Sequence, residues 1–184
     1  IVEENKWSLS EGPQLRHSDS HEELVAVPEL KGKYELNTSN LRRKGRVYSF
    51  PTDALQKIGD EWTNVRKRGG IKSLAVCKPP HVIISSARNF SVFHERYLAV
   101  PPRQYGLSAP KRDAEFLRVL SLYLSSEIAD YYLFLASPQE GVRDGRINLA
   151  TLRSLPVPNL CLTEPELLRM KELHRELVAA SESA

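Results

Sequence analysis

The chain has 184 residues, 41% of them apolar and 27% charged, and a formal net charge of +3. That length can bury a proper core, and that composition excludes a disordered chain. No apolar run approaches the roughly 18 residues that a bilayer crossing needs, so a helical membrane protein is excluded too.

Residues 1–30 read as an acidic, loosely packed leading segment, with two Lys/Arg against seven Asp/Glu. The first four residues, Ile1-Val2-Glu3-Glu4, have neither the basic start nor the apolar stretch of a signal peptide. The only methionine is Met170, so the chain is expected to be a piece of a longer protein. Gly12-Pro13 and Ser18-Asp19-Ser20 mark turns, and Leu24–Val27 is a short strand stopped by Pro28.

Residues 31–112 carry 17 Lys/Arg against five Asp/Glu and read as a basic strand-and-loop part. Val47–Phe50 is a strand ending at Pro51. Thr52 or Asp53 caps a helix running to about Lys67, with Ala54, Leu55, Ile58, Trp62 and Val65 on one face. Arg66-Lys67-Arg68 favour that helix's C-terminal dipole, and Gly69-Gly70 stop it. Ile71–Cys77 and His81–Ser85 are strands split by Lys78-Pro79-Pro80, and the apolar run Phe90–Val100 ends at Pro101-Pro102.

Residues 113–184, with seven Lys/Arg against 11 Asp/Glu, read as a helical packing part. Phe116, Leu117, Leu120, Leu124, Ile128, Tyr131, Tyr132 and Leu135 predict one long buried helix from Asp113. A loop with Gly141 and Gly145 precedes a short helix at Leu149–Leu155. Thr163 and Glu166 form a capping box for an amphipathic final helix with Leu167, Met170, Leu173 and Leu177 on its stripe. The expected class is α+β: a small mixed or antiparallel sheet in the basic middle and a helical C-terminal third, with residues 31–184 as one domain.

Few constellations carry chemistry. Cys77 and Cys161 are far apart, which excludes a disulfide framework and points to reduced thiols in a cytoplasmic protein. His17 and His21 are four apart but separated by turn-forming residues, so no metal site is assigned. Asp19 with Glu29-x-Lys31 matches the carboxylate-and-lysine pattern of divalent-metal nucleases, a short pattern that charged chains produce by chance. There is no glycine-rich phosphate loop.

The basic middle is more informative. Arg42, Arg43, Lys44 and Arg46 crowd between aromatics. Arg66, Lys67, Arg68 and Lys72 form a second cluster. Both are expected mostly to hold phosphates. Arg88-Asn89 and Arg103-Gln104 are the candidates for base edges, because a guanidinium can pair with guanine and a carboxamide with adenine. Arg143 and Arg146 could also face DNA, although Gly141–Gly145 reads rather as a turn that serves packing.

Residues 78–158 add a resemblance. Lys78-Pro79-Pro80 leads into a strand at His81-Val82-Ile83-Ile84, followed by Arg88-Asn89. A long helix comes next, containing Tyr123-Leu124-Ser125-Ser126. Then follow Gly141, Arg146-Ile147, Leu152 and Leu155-Pro156-Val157-Pro158. In order and spacing this resembles the C-terminal target-recognition region of bacterial N-6 adenine DNA methylases and fused restriction–modification enzymes. The helix from Thr163 is similar to the one that follows the same tail in type I specificity subunits.

The resemblance implies recognition of double-stranded DNA beside a methyltransferase catalytic domain, in cis or in trans. S-adenosylmethionine would belong to that domain, and no cofactor or metal to this chain. The family's catalytic Asn/Asp/Ser-Pro-Pro-aromatic motif has its nearest counterpart at Lys78-Pro79-Pro80-His81. Lysine has only donors and cannot accept hydrogen bonds from the adenine amine, so no methyltransferase site is expected. The rival readings are the metal-dependent nuclease and a helical protein-interaction module.

Overall fold

The computed structural model describes residues 6–20, 23–41, 47–136, 146–156 and 163–182. In chain order the strands are β1 (Ser8–Glu11), β2 (Leu15–Arg16), β3 (Leu24–Ala26), β4 (Tyr34–Leu36), β5 (Leu55–Lys57), β6 (Asn64–Arg66), β7 (His81–Ser85), β8 (Ser91–His94), β9 (Leu98–Ala99) and β10 (Gln104–Ser108). The helices are α1 (Gly70–Ser73), α2 (Ala114–Leu124), α3 (Glu127–Ala136), α4 (Leu149–Ser154) and α5 (Glu164–Glu182). The fold is α+β.

An antiparallel sheet in the order β1-β10-β7-β8 forms the centre. Its strand β7 reads His-Val-Ile-Ile-Ser and is buried along its whole length. The strand's period of two explains this. Val82 and Ile84 face a core shared with Leu117, Leu120, Leu124, Leu133, Ile147 and Leu152 of the helical side. Ile83 faces a second core with Leu36, Val76, Phe90, Leu98 and Val100. Two smaller sheets, β2-β6-β3 and β5-β4-β9, close that second side.

The leading segment differs from the expectation of loose packing. Its strand β1 pairs with β10, and β2 and β3 both pair with β6. Leu15, Val27 and Leu30 are buried in a third cluster, and Trp7 donates its indole N–H to Asp113 at 2.8 Å. The sheets therefore reach beyond the basic middle into the acidic leader.

The helix expected over residues 52–67 is absent. Ala54, Ile58 and Val65 are buried as helical spacing suggested, but Ala54 and Ile58 flank β5, which pairs with β4, and Val65 lies in β6, the central strand of its sheet. Gly59 interrupts the stretch and Trp62 remains exposed, so cross-strand pairing prevails over helical periodicity. Only Val47 of the expected Val47–Phe50 strand makes a bridge, to Phe90.

The expected strand at Ile71–Cys77 is instead α1 followed by a 3-10 turn at Leu74–Cys77. Ile71 points to solvent, while Leu74, Val76 and Cys77 go inward. That is a one-sided pattern, which a strand buried on both faces would not show.

The single long helix is two. The α2 helix stops at Ser125, and Ser126 Oγ accepts from the Ala129 N–H at 3.2 Å, as an N-cap for α3. The final helix begins as expected. Glu166 accepts from both the N–H and the hydroxyl of Thr163 at 2.7 Å, which holds its carboxyl below the usual range. Leu167, Met170, Leu173 and Leu177 are half-buried on its inner side. No helix among the described residues is long and apolar enough to cross a membrane.

Candidate nucleic-acid interface

The loops at one end of the central sheet converge. Ser85 ends β7 and pairs with Gln104 at the start of β10. The chain turns from β7 to β8 through Ser86-Ala87-Arg88-Asn89, closed by Arg88 N–H to the Ser85 carbonyl at 3.0 Å and Ser85 N–H to the Phe90 carbonyl at 2.9 Å. A second turn, Pro101-Pro102-Arg103, enters β10 and is closed by Gln104 N–H to the Pro101 carbonyl at 3.2 Å. Between these turns lies a cavity of about 180 Å³. Asn89, Arg103 and Gln104 line it, joined by Thr38, Ser86 and Arg146 over apolar side chains that include Leu41, Phe90 and Pro102.

The position of Arg103 follows from the acidic leader. Gly12 donates its N–H to the Gln104 carbonyl at 3.0 Å, and a Cβ on Gly12 would lie 2.0 Å from the Val100 carbonyl oxygen. Only glycine lets the chain pass so close. Beside it, Glu11 Oε1 accepts from the Arg103 backbone N–H. The leading strand thus braces the turn from behind.

Arg146 is placed by its neighbour. Ile147 is buried, donates its N–H to the Ser86 carbonyl at 2.9 Å and accepts from the Tyr105 hydroxyl at 3.0 Å through its own carbonyl. Asn148 then caps α4 by accepting from the Thr151 N–H at 2.8 Å. With Ile147 held on both sides, Arg146 emerges at the cavity rim. The sequence gives packing to the turn at 141–145, which lies outside the described residues, and lets Arg146 face DNA. Packing does hold Ile147, while the adjacent cation belongs to the cavity.

The other expected site residues are distributed as follows. Arg88 has φ +62° and lines a small crevice with Asp130, Leu133 and Ile147 rather than the main cavity. Gln104 is the first residue of β10, not a loop residue, and its Oε1 accepts from the Ser86 N–H at 3.0 Å. Its carboxamide is thereby partly committed to holding the two turns together. Arg66, Lys67 and Arg68 sit at the end of β6 and the turn after it, not at a helix terminus. They line a separate concavity with Glu23, whose carboxylate lies 3.5 Å from the Lys67 ammonium. Lys72 is exposed on α1. Arg42, Arg43, Lys44, Arg46, Arg143, His21 and Cys161 lie outside the described residues.

The nuclease pattern does not assemble as expected. Glu29 is in a 3-10 turn at Pro28–Leu30 rather than at a strand end, and Lys31 pairs with Asp60 at 2.7 Å. Asp19 lies 3.4 Å from His17, which packs edge-on against Trp62. Among the described residues no group of three or more His, Cys, Asp or Glu is placed to hold a metal ion.

His81 and His174 add no cations at neutral pH. Burial lowers His81 to about 4; its Nδ1–H donates to the Val76 carbonyl at 2.8 Å and leaves Nε2 as an acceptor without a partner. Burial, helped by the Arg118 charge, lowers His174 to about 4 as well. Burial also pushes the Cys77 thiol up to about 11, so it stays protonated and unreactive.

No protein-family model and no curated protein matches this chain. The reading of the site therefore rests on its own geometry and charge.

Proposed function

We propose that this chain is a non-catalytic DNA target-recognition domain serving an adenine-specific methyltransferase or restriction–modification enzyme, in the cytoplasm. One observation carries the reading. Side chains separated widely in sequence, Asn89, Arg103, Gln104 and Arg146, meet around one open cavity at the end of a rigid sheet. Among the described residues the side chains of Asn89, Arg103 and Arg146 have no hydrogen bond or ion pair. Arginines with no partner among the described residues, at a cavity beside turns braced by a sheet, suit a polyanion whose base edges are to be read.

In this reading Arg66, Lys67, Arg68 and Lys72 hold phosphates, as do Arg42, Arg43, Lys44 and Arg46, while the cavity side chains approach bases. The helical side and its acidic charges face the catalytic domain, in cis or in trans. S-adenosylmethionine is bound by that domain.

The test is a titration of the chain against short duplex DNA over a range of salt. The expected log–log slope is about −4 or steeper, because each neutralised phosphate contributes about −0.9. Lys67→Ala should weaken all duplexes alike and flatten that slope by about one. Affinity that ignores salt, or is missing at low salt, overturns the reading.

A further inference from the structure

The cavity's arginines point to a particular base. Among the described residues its cations are Arg103 and Arg146, which present donors only. Of the two carboxamides in the lining, that of Gln104 already accepts through Oε1 from the Ser86 N–H, while that of Asn89 stands beside the arginines with an acceptor of its own. Among the described residues no carboxylate lines the cavity. Leu41, Ala87, Phe90 and Pro102 also line it.

Backbone conformation supplies a second, independent observation. Arg103 has φ +65° and Arg88 φ +62°, the left-handed region where side chains are disfavoured. Elsewhere among the described residues such positions are taken by Gly32, Gly69 and the exposed Lys6. At the two turns around the cavity the fold keeps arginine, at a conformational cost. Strain of this kind persists where the side chain is needed in that place.

We infer that the cavity reads guanine: Arg103, assisted by Arg146, donates to the O6 and N7 acceptors of one guanine in the major groove. This rests on the DNA-recognition reading and adds to it a base identity and the residue that decides it. Adenine would require an acceptor opposite its amine, which a guanidinium lacks, and cytosine presents a donor there.

The experiment uses Arg103→Gly. Glycine is at ease at positive φ, so this variant keeps the fold and relieves the turn. Its melting temperature, at or above that of the unchanged chain, confirms that any loss of binding is local. The unchanged chain and the variant are each used to select duplexes from a randomised pool. The unchanged chain should enrich an invariant G·C pair that the variant no longer enriches.

The enriched duplex is then remade with 7-deazaguanine at that position, which deletes N7 and leaves pairing intact. Binding by the unchanged chain should weaken roughly ten-fold, and binding by Arg103→Gly should be indifferent to the change. Arg146→Ala should show a smaller loss at the same base pair.

Salt-dependent binding with no enriched guanine, or with adenine enriched through Asn89, overturns this inference and leaves the DNA-recognition reading standing. So does an Arg103→Gly loss equal for all sequences, which makes Arg103 a phosphate contact. Absence of duplex binding overturns both.

Discussion

Arg118 and Arg103 carry the same charge in opposite surroundings. Arg118, on α2, stacks its guanidinium 4.5 Å from the Phe93 ring centre and lies 3.1 Å from Glu95 and 3.7 Å from Glu115. Around it Lys171 also pairs with Glu115, and Arg169 pairs with Glu172 and Glu176 along α5. At the sheet end, the Arg103 and Arg146 guanidiniums have no such partners among the described residues. On the helical side, therefore, positive charge is consumed in holding α2, α5 and β8 together, and at the sheet end it is left available. Net charge does not distinguish the two, because a neutralised arginine and a free one count alike.

The comparison can be broken most strongly by reversing the free charges. Arg103→Glu combined with Arg146→Glu should cost at least about a hundred-fold in duplex affinity, by loss of donors and gain of repulsion. It should move stability by no more than about 0.5 kcal/mol in chemical denaturation. A large loss of stability would mean that these arginines are structural after all.

Arg118→Ala should do the opposite. It removes a cation stacked on Phe93 and leaves Glu95 and Glu115 facing each other. About 1–2 kcal/mol of stability should go, with duplex affinity unchanged within two-fold. A binding defect at full stability would place DNA on the helical side.

The smallest expected effect is a pH dependence. His81 and His174 are held near 4 when folded, against about 6.5 when unfolded. Between those values the unfolded chain binds more protons. Stability is therefore complete above about pH 6.5 and declines toward pH 4, by no more than about 1.4 kcal/mol per pH unit for each histidine. Denaturation midpoints at several pH values would show it, and His174→Phe should flatten the decline. The groups facing His174 are Arg118, Glu115 and the Phe93 ring, so Arg118→Ala should flatten it as well.

Elements with a strong two-sided signal were legible in the sequence. His81–Ser85, apolar with β-branched residues, is the central strand, and Thr163 with Glu166 marks the start of α5 to the residue. Residues 52–67 misled because Ala54, Ile58 and Val65 satisfy helical and strand burial alike. The strand partners that decide this stretch, Leu36 for Leu55 and Leu15 and Val25 for Val65, are more than 15 residues away in the chain. The α2–α3 break was hidden by apolar residues that continue across it, although Ser125-Ser126 carried the capping signal.

At the site, Asn89, Arg103 and Gln104 were legible as polar residues beside strands, and the cavity itself brings them together. Arg146 was legible only as a cation able to face DNA; its place at this cavity was not, because it depends on Ile147 bonding to Ser86 and Tyr105, neither of which is near it in sequence. The two positive φ values were equally hidden, since arginine is not the residue that such turns announce.

The contact between Gly12 and Val100 has a practical meaning for anyone shortening the chain. Charge alone suggests a cut at Lys31, which would discard the acidic leader and retain every basic side chain assigned to DNA. That cut would also discard Glu11 and Gly12, which stand behind the Arg103 turn, and Trp7, which is tied to Asp113. A fragment from Lys31 would keep the whole positive charge on a loosened mount. The minimal unit that preserves the shape of the cavity begins ahead of Trp7.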